Sequence, residues 1–165
     1  MKNPLRLGAL ALFVFMLTAC NKDKLPPAKH ALTLDGLDYE VASANIVGVS
    51  IGGEGHANVS FISSEGNVAK TLNINIEYFT DKPIAGDYGF PQTGSLRYMD
   101  DWLTMYTEID SGTGSMISTN LESGTMSIVH NGEENYTVTI DLTMIDGKVF
   151  KGTYTDNFVV GFNNG

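Results

Sequence analysis

Residues 136–144 read YTVTIDLTM. Tyr136, Val138, Ile140, Leu142 and Met144 fall on one side of an extended chain, and Thr137, Thr139, Asp141 and Thr143 on the other. Successive side chains of a strand point to opposite faces, so this is the pattern of a half-buried antiparallel strand with an apolar inside and a threonine-rich outside. Residues 71–79, TLNINIEYF, repeat the design: Leu72, Ile74, Ile76 and Tyr78 point in, Asn73, Asn75 and Glu77 out.

Working outward, the same alternation predicts strands over 39–43, 46–51, 57–62, 102–109, 114–119, 124–130, 149–155 and 158–162. Asn131-Gly132 and Asp146-Gly147 read as hairpin turns, because both positions of such pairs tolerate positive φ. Asp35-Gly36 and the Glu65-Gly66-Asn67 stretch look similar. Gly124 and Gly152 each precede a Thr at a strand start or bend, where glycine allows a bulge or a close backbone approach. The nearest approach to a helix is 95–106, SLRYMDDWLTMY, but Trp102, Thr104 and Tyr106 also alternate with their neighbours, and strand is the reading adopted. About ten short strands with glycine-rich turns predict an all-β domain over residues 30–165, a single antiparallel β-sandwich or flattened barrel.

The first nineteen residues differ in kind. Lys2 and Arg6 precede an uncharged apolar run, 7–17, followed by Leu17-Thr18-Ala19-Cys20. The run is too short to span a bilayer, which takes about 20 apolar residues, and fits the core of a signal peptide. LTAC resembles the lipobox of bacterial lipoproteins. That resemblance implies cleavage before Cys20, diacylation of its thiol, and acylation, as with palmitate, of the new amino group. A thiolate is the nucleophile that accepts the lipid, and more than one acyl chain is what makes anchoring stable. Residues 1–19 are therefore expected to be a lipoprotein signal peptide and 20–29 the lipidated Cys20 and a tether stiffened by Pro26-Pro27.

Removing residues 1–19 takes away two basic residues and no acid, leaving eight basic and nineteen acidic residues and a formal charge of −11. A nucleic-acid surface needs clustered Lys and Arg, so that partner class is disfavoured. An acidic surface also gains nothing from anionic headgroups, which leaves the lipid on Cys20 as the membrane contact. Cys20 is the only cysteine, so no disulfide can staple the domain.

The C-terminal third, SGTMSIVHNGEENYTVTIDLTMIDGKVFKGTYTDNF, resembles the ending of many small lipoproteins of the Bacteroidota, as do LTLDGLDYEVASANI near the start and IAGDYGFP in the middle. The resemblance implies an all-β lipoprotein of the bacterial cell envelope, lipid-anchored in the outer membrane, and brings no catalytic residues. Lys22-Asp23 partly matches the Cys-X-Lys-acidic-acidic export signal of that phylum; Lys24 departs from it.

Chemistry-bearing motifs are few. His30, His56 and His130 are far apart, with no metal-ligand spacing between them. A haem or metal carrier would have to assemble them in space, with one another or with Met99, Met105, Met116, Met126 or Met144. Asp100-Asp101 and Glu108 with Asp110 match no calcium-loop spacing, and read as solvated loop acids. There is no Gly-x-Ser-x-Gly elbow and no phosphate-binding glycine loop. No catalytic residue, no metal site and no cofactor is expected, and the chain is not read as an enzyme.

Residues 86–102, GDYGFPQTGSLRYMDDW, form the longest stretch without alternation, and Tyr88, Phe90, Tyr98, Trp102 and Tyr106 cluster there. Aromatic rings on a loop rim can stack on sugars or grip a peptide, and loops on a rigid scaffold are where binding concentrates. The competing role for Trp102 is to cap the core. The expected function is a non-catalytic binding or accessory module for a carbohydrate or protein ligand, with these five rings as candidates. The alternative is a structural or adhesin-type component of a surface assembly.

Overall fold

The computed structural model describes residues 30–164; the expected signal peptide (1–19), Cys20 and the expected tether (20–29) lie outside the described residues. Among the described residues every regular element is a strand: β1 His30–Leu34, β2 Leu37–Asp38, β3 Ser43–Ile51, β4 Glu54–Glu65, β5 Val68–Phe79, β6 Gly86–Phe90, β7 Arg97–Tyr98, β8 Met105–Asp110, β9 Ser115–Gly132, β10 Asn135–Met144, β11 Val149–Asn157 and β12 Val159–Asn164. They join in the order β12-β3-β4-β5-β8-β9-β10-β11-β1-β2, with β6 on β9 and β7 on β6.

One strand turns this continuous sheet into two layers. The first third of β9 pairs with β8, Ser115 opposite Asp110 through Asn120 opposite Met105. From Leu121 onward it pairs with β10, and over Gly124–Ile128 also with β6. The ladder is irregular between Thr143 and Met144 opposite this change of partner. Gly124 follows at once, with φ near +153°. A Cβ there would overlap the Asp141 carbonyl oxygen. The sequence places two strands, 114–119 and 124–130, on either side of this glycine. The chain instead bends without breaking, because glycine admits both the φ and the close approach. Gly152 plays the same part on β11, where a Cβ would overlap the Ala31 carbonyl of β1.

The layers enclose the apolar faces predicted from alternation. Val138, Ile140, Leu142 and Met144 of β10, Leu72, Ile74 and Ile76 of β5, and Ala57, Val59 and Phe61 of β4 are all buried. Aromatic rings bridge the layers: Phe61 meets Tyr154 edge-on at 5.5 Å, and Tyr106 meets Phe150 at 5.1 Å. Phe158, fully buried where the chain leaves β11 for β12, meets Phe61, Tyr136 and Tyr154. Tyr39 plugs the seam, its hydroxyl within hydrogen-bond distance of the Phe61 and Lys70 carbonyls. Outside, the threonine face of β10 is zipped to β11 by Thr137–Thr155 and Thr139–Thr153 hydroxyl bonds.

The all-β class and its sandwich-like or flattened-barrel packing match the expectation; several details do not. The described residues hold twelve strands, and two of their pairings are parallel, β12 with β3 and β6 with β7. A hairpin forces antiparallel pairing, but β12 is reached by crossing from one layer to the other at Phe158, which frees its direction. Residues 39–42 are a crossing segment rather than a strand. The turn expected at Asn131-Gly132 lies at Glu133-Glu134, with Glu133 taking φ near +50°. Trp102 is not in a strand: Asp100 accepts from the Leu103 and Thr104 amides and winds 101–103 into a turn before β8 starts at Met105. Residues 86–102 hold two short strands, which the lack of alternation concealed.

Candidate functional site

β4 and β5 pair along all twelve residues, Glu54 opposite Phe79 through Glu65 opposite Val68. With the inner face filled by Ala57, Val59, Phe61, Leu72, Ile74 and Ile76, the outer face carries His56 opposite Glu77, Asn58 opposite Asn75, and Ser60 opposite Asn73. These side chains form one network. Asn58 Oδ1 accepts from Asn75 Nδ2 at 2.8 Å and from Asn73 Nδ2 at 3.3 Å. Asn73 Oδ1 accepts from Ser60 Oγ at 2.5 Å.

The network fixes the histidine. Asn75 donates through Nδ2, so its Oδ1 is left to face His56 Nδ1 at 2.8 Å, and a carbonyl oxygen only accepts. His56 Nδ1 therefore carries a proton, which is the tautomer that leaves the ring's lone pair on Nε2. Neither His56 Nε2 nor Asn58 Nδ2 has a partner among the described residues, which leaves one acceptor and one donor beside each other on this face.

The 99–104 segment walls this face on one side. Beyond Asn73 the edge of β5 parts from β8, and the segment fills the gap: Asp100 N donates to Asn75 O at 2.9 Å, Asn75 N donates to Thr104 Oγ1 at 3.0 Å, and Met99 bridges to Ile76. Asn75 is thereby buried, with its backbone and side chain both hydrogen-bonded. Two adjoining depressions result. One, of about 520 Å3, lies between His56, Glu77, Phe79 and Tyr98; the other, of about 380 Å3, runs from His56 and Asn58 to the exposed side chains of Val47, Val49 and Ile51 on β3. The Tyr98 hydroxyl is held above the ordinary phenol value, first by desolvation and then by the Asp100, Asp101 and Glu77 carboxylates. The hydroxyl keeps its proton at neutral pH and donates it in a hydrogen bond to the Asp101 carboxylate, which leaves the ring to face the depression.

The five aromatic candidates do not make one rim. Tyr88 is fully buried, donating to the Ile84 carbonyl at 2.6 Å and accepting from Arg97 Nη1 at 2.8 Å. Tyr106 is fully buried against Phe150, its hydroxyl donating to Glu108 Oε2 at 2.8 Å. Both rings belong to the core, because the alternation of β6 and β8 turns them inward, and neither offers a face to a ligand. Phe90 is half-buried and packs against the core. Trp102 does not cap the core: it stands 79% exposed on its turn. Tyr98 alone of the five lines the depression beside His56.

His56 lies in β4. His130 is bound at the far hairpin, donating from Nε2 to the Glu133 carbonyl at 2.7 Å and stacking on Tyr136. Met99, Met126 and Met144 are core residues. Among the described residues no group of three or more His, Cys, Asp or Glu side chains is gathered where it could hold a metal ion. Asp110 accepts from the Gly112 and Thr113 amides and the Thr113 hydroxyl, which hold its carboxyl below the ordinary range, so it serves to wind its turn.

Alternation showed that Asn73, Asn75 and Glu77 face outward. It did not reveal that Asn58 and His56 stand opposite them, because that depends on the β4–β5 register. No protein-family model matches the chain, and the searches of curated proteins and of solved structures likewise return no match.

Proposed function

We propose that the chain is a lipid-anchored, non-catalytic binding module of the bacterial envelope, which takes a neutral, hydroxyl-rich ligand of the carbohydrate class on the outer face of β3, β4 and β5. The observation that carries this reading is the juxtaposition of His56 Nε2 and Asn58 Nδ2, an unpaired acceptor and donor on a hydrogen-bonded network, with the apolar Val47–Val49 wall on one side and Tyr98 on the other. Sugar hydroxyls both donate and accept, and their C–H faces lie well on apolar and aromatic walls. Glu54 and Glu77 border the depressions and select against anionic ligands.

Anchoring rests on LTAC and its Cys20. A Cys20→Ser chain is expected to leave the membrane fraction after a carbonate wash; retention in lipid would refute the anchor. Binding is tested by calorimetry of the purified lipoprotein against a panel of neutral oligosaccharides. At least one sugar is expected to bind, with affinity lost in His56→Ala and Tyr98→Ala and unchanged in Trp102→Ala. A panel with no binder, or binding indifferent to His56 and Tyr98, would refute this face as the site.

A further inference from the structure

A separate depression of about 480 Å3 opens between the layers, where the β1–β2 turn of one approaches the β4–β5 hairpin of the other. It shares no residue with the depressions beside His56. Burial sorts its lining into a floor and a rim. On the floor, Ser63 stands directly opposite Lys70 across β4 and β5. Alternation with Phe61 and Leu72 turns both side chains inward, beside the buried Tyr39. Ser63 is 6% exposed, yet among the described residues its hydroxyl has no hydrogen-bond partner. A buried hydroxyl left unmet is costly, and this one is open to the depression it lines. Lys70 gives one donor to Glu65 at 3.1 Å and has others to spare. The rim is acidic and exposed. Asp35 accepts from the Val149 amide and Glu65 from Lys70, while the carboxylates of Asp38 and Glu40 have no partner among the described residues. Leu34 and the exposed Leu37 add an apolar wall.

We propose that this depression binds a free basic amino acid, its carboxylate on Ser63 and Lys70 and its cationic groups at Asp38 and Glu40. Two features of the lining select that class. Four carboxylates against one ammonium leave it net negative, so it favours a ligand of net positive charge. A simple cation is nevertheless a poor match for the floor, because Lys70 repels it where the Ser63 hydroxyl waits. Cross-strand neighbours lie about 5 Å apart at Cβ, so the Ser63 hydroxyl and the Lys70 ammonium are two donors side by side, which is what a carboxylate accepts. A ligand that answers floor and rim together carries one carboxylate and a surplus of cationic groups. The aliphatic stem between them lies on Leu34 and Leu37. A space of this size is ordinary for a small-molecule site.

Calorimetry of the purified full-length protein with L-lysine supplies the test. L-Lysine is expected to bind, and two analogues to bind about tenfold or more weakly: cadaverine, which lacks the carboxylate, and L-norleucine, which lacks the side-chain ammonium. Ser63→Ala should weaken L-lysine about fivefold or more, and Asp38→Asn combined with Glu40→Gln about tenfold or more. His56→Ala, on the other face, should leave it unchanged. Ser63→Ala removes no hydrogen bond within the described residues, so its melting temperature should not fall, and lost binding then reports the site rather than the fold. No heat with L-lysine at millimolar concentration would overturn the proposal. So would cadaverine binding as tightly as L-lysine, which is attraction of any cation to an acidic chain, or L-norleucine doing so. L-Lysine binding that ignores Ser63 or depends on His56, or a lowered melting temperature in Ser63→Ala, would overturn it as well.

Discussion

Phe158→Ala isolates the contact that ties the two layers together. Phe158 is 1% exposed and occupies the single position between β11 and β12, where the chain passes from one layer to the other. Its ring meets Phe61 at 6.0 Å, Tyr136 at 5.8 Å and Tyr154 at 5.6 Å, all near-perpendicular. Truncating a buried Phe to Ala costs about 3 to 5 kcal/mol, and each edge-on aromatic pair is worth about 0.5 to 1.5 kcal/mol beyond the area it buries. Three such pairs put this site near the top of the range, at about 4 to 5 kcal/mol. The backbone bond from Phe158 N to the Glu134 carbonyl survives in the variant, so the measured loss belongs to the ring. A domain of this size has about 5 to 15 kcal/mol in all. The urea midpoint should therefore fall by about 2 M for a slope near 2 kcal/mol/M, and the melting temperature by about 12 to 20 °C. Phe158→Leu, which keeps most of the volume, should cost no more than about 1.5 kcal/mol. A loss below about 1.5 kcal/mol in Phe158→Ala, at unchanged slope, would refute the view that this ring cluster joins the layers.

Further predictions follow from burial and backbone geometry. Tyr39, Tyr88, Tyr106, Tyr136 and Tyr154 all have phenols raised above the ordinary value near 10, mainly by desolvation. Each holds its proton more tightly folded than unfolded, so the stabilisation is complete below about pH 10 and drains as pH rises from there toward the folded values. Phenolate absorbance from these residues should accordingly appear together with loss of circular dichroism, and its appearance in a still-folded protein would contradict their burial. Gly152→Ala, which sets a Cβ on the Ala31 carbonyl, should destabilise by about 2 kcal/mol or more in urea titration and loosen β1, read as faster amide exchange in His30–Leu34. Trp102→Ala should change stability by no more than about 0.5 kcal/mol, since the side chain is exposed and the contact with Asn120 is made by its backbone carbonyl; a larger loss would mean that the ring packs after all.

The sequence by itself determined the class of fold and most of its inner faces. In 136–144 and 71–79 the period of two is unbroken, and the residues assigned inward are those the core buries, because side-chain direction in a strand is a local property of the backbone. It likewise marked Gly124 and Gly152 as points of close approach, although not what approaches them. The tertiary structure decided everything that depends on pairing. One long strand, β9, serves both layers, and this is invisible locally because a bend at Gly124 looks the same as a turn. Tyr88 and Tyr106 read as a binding rim until β6 and β8 placed their rings in the core. The polar face of His56, Asn58 and Asn75 draws on two strands and the 99–104 segment, up to 48 positions apart, and the tautomer of His56 is set by an asparagine 19 positions away. Alternation tells which way a side chain points. Only register tells what it meets.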